Sequence, residues 1–96
     1  MSFQSRGGIP RARRYAAIDT TGQQIRFDAL SMNVCLEPTG AALRVFFSQE
    51  DFDNDLNYWE IADGELFDKP IEDRCIWVKA AAGAAAVQML VLHRKG

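Results

Sequence analysis

Hydrophobic and polar positions alternate in short runs along most of the chain. Between residues 30 and 36 the larger apolar residues occupy every second position, as Leu30, Met32, Val34 and Leu36. A period of two is typical of a strand with one buried face, because successive side chains of a strand point to opposite sides. Further strand-like runs follow at residues 43–47, 58–61, 65–68, 75–78 and 86–92.

Turn-forming residues separate these runs. Thr21-Gly22 lies between residues 15–20 and 23–29 and predicts a two-residue hairpin, while Asp63-Gly64 and residues 37–40 predict further turns. Strands of about 5–7 residues with turn signals about every 8–12 residues favour an all-β domain. The pattern therefore predicts an antiparallel β-sandwich, jelly-roll-like, or a small barrel.

The C-terminal segment, residues 79–95, allows a second interpretation. It is rich in alanine and ends in His-Arg-Lys-Gly, which is typical of a helix with a basic last turn followed by glycine. Gly83 would cost such a helix about 1 kcal/mol, and the apolar cluster at 87–92 leaves no polar helical face. A strand is favoured, and the helix stays an alternative.

The first 14 residues lack the strand pattern. Gly7-Gly8 is flexible, Pro10 blocks a helix, and four arginines lie close together, Arg6, Arg11, Arg13 and Arg14. We expect a basic arm at residues 1–14 and a single domain at residues 15–96. The arm is either a frayed terminus or a segment that orders on a partner protein. A sequence pI near 5.3 makes nucleic acid an unlikely partner.

Length and charge add two constraints. Ninety-six residues with 48% hydrophobic and 25% charged residues are ordinary for one globular domain. The net charge of −2 is made up of +4 over residues 1–27, −10 over 28–73 and +4 over 74–96. This segregation indicates either attraction between copies of the chain or merely solvated faces. With no apolar leader and no membrane-length run, we expect a soluble chain made in a cytosol.

Residues that could carry chemistry are sparse. His93 is the only histidine, and no nucleophile elbow, zinc-protease motif, phosphate-binding loop or dinucleotide motif occurs. Cys35 and Cys75 lie in apolar runs, so buried thiols are expected, with a disulfide as the alternative. We therefore predict no enzyme, no cofactor and no zinc site.

The acidic segment at residues 49–55 raises the question of calcium. Asp51, Asp53 and Asp55 have the alternate spacing of an EF-hand loop. However, the sixth position holds Leu56 where that loop needs glycine, and the twelfth holds Ala62 where it needs glutamate. A solvated loop without metal is the expected structure.

The aromatic residues suggest where a partner could bind. On a strand Tyr58 and Trp59 would point to opposite faces, which places one ring in the core and the other near the surface. Core packing of both rings, a protein-interface anchor and stacking on a sugar all remain open. Trp77, within an apolar run, is predicted to be a core residue.

The C-terminal two-thirds, about residues 40–95, resembles a known group of proteins. The passage contains Gly64-Glu65-Leu66-Phe67, then Pro70, then Ile76-Trp77-Val78, and ends in an apolar strand. In this order it is similar to the small β-sandwich accessory proteins of tailed-bacteriophage virions, which decorate capsids or build the neck. The resemblance implies a structural protein, assembled in the host cytoplasm into the virion, that oligomerises or docks on a capsid or connector lattice.

The predicted partner-binding residues are those of the basic arm and the aromatic pair: Arg6, Arg11, Arg13, Arg14, Tyr58 and Trp59. Their expected partners are other copies of the chain and a capsid or connector protein. The alternative is a carbohydrate-binding β-sandwich module that uses Tyr58 or Trp59.

Overall fold

A computed structural model describes residues 8–27 and 30–94. Within these residues the chain forms eight strands and one short helix. The strands are β1 (Gly8–Asp19), β2 (Gln23–Arg26), β3 (Ser31–Thr39), β4 (Leu43–Phe46), β5 (Trp59–Ile61), β6 (Phe67–Lys69), β7 (Cys75–Ala80) and β8 (Ala84–Arg94). The helix, α1 (Gln49–Asn54), lies between β4 and β5.

The strands form two four-stranded sheets, with the orders β1-β8-β3-β6 and β2-β7-β4-β5. All strand pairs are antiparallel. Eight antiparallel strands distributed between two sheets in this way form a jelly roll. The predicted β-sandwich is therefore confirmed, and the barrel alternative is wrong because the two sheets are separate.

The core lies between the two sheets and follows the alternation of the strands. In β7, for example, Ile76, Val78 and Ala80 are buried while the residues between them are partly exposed. The same alternation buries Val34 and Leu36 in β3. Burial of each such large apolar side chain stabilises a fold by about 1.5–3 kcal/mol.

Two predicted turns differ from those observed. Thr21-Gly22 does follow β1, and the carboxylate of Asp19 accepts hydrogen bonds from both backbone N–H groups, at 3.0 and 3.1 Å. The predicted hairpin is wrong, however, because β1 and β2 belong to different sheets and the turn crosses between them. Pro38 lies within β3, and the next turn begins at Gly40, whose φ is +99°.

The acidic segment forms a helix instead of the predicted loop. Ser48 caps α1 by accepting a hydrogen bond from the N–H of Asp51 at 3.1 Å. The helix packs on the outer side of the sheet containing β4, where the Phe52 ring lies edge-on to Phe46 with centroids 5.5 Å apart. Phe46 is 0% exposed although it lies outside the main core cluster.

The C-terminal segment is a strand, so the helical alternative is wrong. β8 spans 11 residues and lies between β1 and β3. Most of its residues are apolar on both faces, and continuous apolar runs are typical of strands covered on both sides.

The N-terminal boundary also changes. Residues 8–14 belong to β1 and pair with β8, beginning with Gly8 opposite Arg94. The predicted arm is therefore corrected for this part of the chain, while its residues 1–7 lie outside the described residues. The domain begins at Gly8 at the latest, and not at Tyr15.

Three residues predicted to be buried face outward instead. Trp77 alternates with buried neighbours in β7 and is only partly buried. Cys35 and Cys75 are both partly exposed and free, on the outer faces of opposite sheets. Neither the predicted burial of these thiols nor the alternative of a disulfide is correct, because the whole core separates the two cysteines.

Candidate functional site

The predicted arginines lie along the edge strand β1. Arg11 and Arg14 are exposed, whereas the Arg13 guanidinium turns back and donates a hydrogen bond to the backbone oxygen of Arg26 at 2.8 Å. Arg6 lies outside the described residues. Because neighbouring residues of a strand point to opposite sides, Arg14 lies on the outer face and Arg13 on the side of the core. Arg11, Arg13 and Arg14, the described members of this group, therefore do not form one basic patch.

The aromatic pair lies at the other lateral edge of the sandwich, at β5. Both rings are partly exposed, Tyr58 by 37% and Trp59 by 51%, so the prediction that one of them is core is wrong. The Arg44 guanidinium lies 4.6 Å from the centroid of the Tyr58 ring. The Lys69 ammonium lies 5.2 Å from the centroid of the Trp59 ring. One face of each ring is thus already occupied by a cation of the same chain.

The outer face of the sheet β2-β7-β4-β5 is covered by the chain itself. Arg44 forms ion pairs with Asp55, at 2.8 Å, and with Glu60, at 3.3 Å. Lys79 donates a hydrogen bond to the backbone oxygen of Phe52 at 3.2 Å. Surface ion pairs contribute about 0–1 kcal/mol each, but together with the Phe46 contact these hold α1 against the sheet.

The carboxylates that suggested calcium are engaged separately. Asp51, Asp53 and Asp55 each accept a hydrogen bond from a different side chain, at 3.1, 2.9 and 2.8 Å. Asp51 and Asp53 lie on the helix and Asp55 follows it as the C-cap, so the three do not form the loop that an EF-hand requires. Among residues 8–27 and 30–94, no cluster of three or more potential metal-binding side chains is found.

The remaining candidates for chemistry are poorly placed. His93 is 3% exposed and lies edge-on to the Phe27 ring at a centroid distance of 6.1 Å. Partial burial raises the pKa of the Cys35 thiol, and a hydrogen bond and the negative charge of Asp68 raise that pKa further. Cys35 is therefore held as the neutral thiol, which is a weaker nucleophile than the thiolate.

A surface that was not predicted lies on the outer side of the sheet β1-β8-β3-β6. We call it the β8 face and define it by outward residues of β1, β3 and β8 together with Leu66, which precedes β6. These residues are Ala12, Arg14, Cys35, Glu37, Leu66, Ala86, Gln88 and Leu90. Leu66 and Leu90 are 62% and 38% exposed, and hollows of about 380 and 270 Å³ lie side by side on the face.

The signal for this face was present in the sequence of β8. Where a strand with one solvated face would place polar residues, β8 has Ala84, Ala86 and Leu90, with Gln88 as the one polar side chain among these four positions. In the sequence the same apolar run was also compatible with a helix, so it did not identify a surface.

Comparison with known proteins does not add a relative. No family model, no curated protein and no solved structure matches the chain. In the described part of the chain, no helix is long and apolar enough to cross a membrane. The function has to be inferred from the surfaces of the chain itself.

Proposed function

We propose that this chain is a non-enzymatic structural protein of a virion and that it binds neighbouring protein subunits through the β8 face. The observation that carries the proposal is that β8 presents apolar residues on its outer face, where a strand normally has polar ones. The strand is apolar on both faces, but among its outward residues that the structure describes only Leu92 is buried, while Ala84, Ala86, Gln88 and Leu90 are exposed. Exposed apolar patches of this kind mark protein interaction sites.

The contrast between the two sheets supports this choice of surface. On the sheet β2-β7-β4-β5 the chain supplies its own cover, with α1 over Phe46 and with ion pairs at Arg44. On the sheet β1-β8-β3-β6 the described residues supply no such layer, and Ala12 and Leu90 are exposed. A partner would remove this apolar area from water, which favours association by about 25 cal/mol per Å² before the costs of binding.

The assignment to a virion rests on the resemblance of residues 40–95 to phage accessory proteins. The jelly roll agrees with it, since the fold occurs in viral capsid domains, but it also occurs in lectins and does not decide the function. The aromatic residues weigh against a lectin. Stacking on a sugar needs a free ring face, and a cation of the chain already lies over one of the two faces of Tyr58 and of Trp59.

Incorporation into particles tests the proposal. Virions of the phage carrying the gene are purified from infected cells by density-gradient centrifugation, and the chain is quantified by mass spectrometry. We expect wild type in the particles and Leu90→Asp to be lost from them. Leu56→Asp is the matched control, because Leu56 is also an exposed leucine, 57% exposed, but lies beside α1.

Both purified variants should melt within a few degrees of wild type, which separates loss of binding from loss of folding. Absence of the wild-type chain from the virions, or retention of Leu90→Asp at the wild-type level, would overturn the proposal. Binding on a glycan array that disappears in Trp59→Ala would favour the carbohydrate module instead.

A further inference from the structure

We infer that the β8 face binds a second copy of this chain, in a two-fold symmetric dimer whose axis runs along β8. The inference rests on the proposed function, in which this face binds protein. It specifies the partner and the orientation. Both follow from the cross-strand register of the sheet.

The register places opposite charges symmetrically about β8. Gln88 pairs with Arg14 on one side and with Glu37 on the other, so the three residues form one row across the sheet. Adjacent strands are about 4.8 Å apart, which places Arg14 and Glu37 about 10 Å from each other with β8 midway between them. In the next row Leu90 lies between Ala12 and Cys35, and the row continues to Asp68 on β6.

In this dimer the β8 faces of two copies stack against each other, and the two-fold axis lies between them and runs parallel to β8. The axis places β1 of one copy over β3 of the other and keeps each cross-strand row at the same height. Arg14 of one copy then faces the partner's Glu37, and Glu37 faces the partner's Arg14. In the next row Leu90 faces the partner's Leu90. The face is therefore complementary to itself, as an interface between two identical surfaces must be.

The alternative axis, also in the interface but perpendicular to the strands, keeps β1 over β1. Where it runs through the row of Gln88, it would place Arg14 against the partner's Arg14, and like charges in contact are unfavourable. Among the described residues, neither Arg14 nor Glu37 forms an ion pair within its own chain, and both are exposed. Both charges are thus available to a partner, and only the axis along β8 pairs them.

The size of the face is compatible with a dimer. Eleven residues of β8 at about 3.4 Å each, and the three strands β1, β8 and β3 that overlap in this orientation, about 4.8 Å apart, give a projected area of roughly 500 Å² per copy. Protruding side chains raise the accessible area toward the roughly 800 Å² per partner of a standard interface. Alanine at positions 12 and 86 allows the two sheets to approach closely.

Charge reversal provides a test that only this orientation passes. Arg14→Glu and Glu37→Arg are each expected to weaken the dimer by roughly 10–100-fold, because either change turns both cross-dimer attractions into repulsions. A mixture of the two variants should form a one-to-one heterodimer, since every facing pair is then opposite in charge. The double variant should dimerise like wild type. Sedimentation velocity over a concentration series measures all four.

Arg26→Glu is the matched control, because it makes the same charge change at an exposed position on the other sheet and should leave dimerisation unchanged. A wild-type chain that stays monomeric up to about 1 mM, or single variants that fail to associate when mixed, would overturn the dimer. The virion assay reports separately on the proposed function. Loss of Leu90→Asp from particles built with a monomeric wild-type chain would mean that the face binds a different protein.

Discussion

At the scale of single residues, Gly22 is the position where backbone conformation and packing are most tightly coupled. Its φ is +77°, and a Cβ at this position would lie 2.4 Å from the backbone oxygen of Val78 and 2.7 Å from Cβ of Lys79. Neither atom can move without displacing β7. Glycine is therefore required here both for the turn and for the contact between β7 and the crossing segment.

We predict that Gly22→Ala destabilises the fold by about 2–4 kcal/mol, because strain at positive φ adds to the clash with β7. Gly83→Ala is the matched control. Gly83 also has a positive φ, +64°, but a Cβ there meets nothing within 4 Å, so only the strain of about 1 kcal/mol applies. Urea unfolding of both variants measures the difference, and equal losses would show that the contact with Val78 is unimportant.

At the scale of elements, the positions of most strands could be predicted, and their partners could not. The alternation of residues 30–36 and the turn residues at Thr21-Gly22 are local signals. Whether a turn returns within one sheet or crosses to the other depends on where the rest of the chain packs. The same holds for α1. Its six residues are too few to form a stable helix alone, so the helix depends on the contact between Phe52 and Phe46, which are brought together by the fold.

Two substitutions on the outer side of the sheet β2-β7-β4-β5 test how α1 is held there. Phe46→Ala should cost about 3–5 kcal/mol, because Phe46 is fully buried beneath α1 and Tyr58. Trp77→Ala removes a larger ring from the same outer face, but it should cost only about 1–2 kcal/mol since Trp77 is partly exposed. Thermal unfolding checks the order, and a Trp77 loss equal to or above that of Phe46 would contradict this account.

The same Phe46→Ala protein should also lose protection of the α1 amides in hydrogen exchange. The reason is that the helix has lost its main packing partner while its own hydrogen bonds remain. Protection unchanged from wild type would show that the ion pairs of Arg44 and the Ser48 cap suffice to hold the helix.

At the scale of the whole molecule, the sequence identified residue types suited to binding but not the surface they share. The arginines of β1 and the aromatic residues at β5 lie at opposite lateral edges of the sandwich. The β8 face is instead the outer side of the sheet β1-β8-β3-β6. Of the predicted residues that the structure describes, only Arg14 belongs to the β8 face. The charge segregation is also partly neutralised within the chain, because Lys79 of the basic C-terminal segment pairs with Asp55 of the acidic segment at 3.9 Å.

The edge position of β1 gives the other basic residues a different role. β1 is 12 residues long and has a partner on only one side, and long open edges can pair with other chains and cause aggregation. Proline, charged side chains and bulges are the usual protection against such pairing. β1 has Pro10, Arg11 and Arg13, and its register with β8 shifts between Tyr15 and Ile18.

We therefore predict that replacing Pro10 and Arg11 together by valine makes the folded protein aggregate through β1. The control replaces Gln23 and Arg26 by valine on β2, which is also an edge strand but has only 4 residues. Both double variants gain β-forming side chains at exposed positions, so melting temperatures should stay close to wild type. Light scattering and thioflavin fluorescence over time should rise for the β1 variant and stay low for the β2 variant. Equal aggregation of the two would mean that added hydrophobicity, and not the long edge of β1, is responsible.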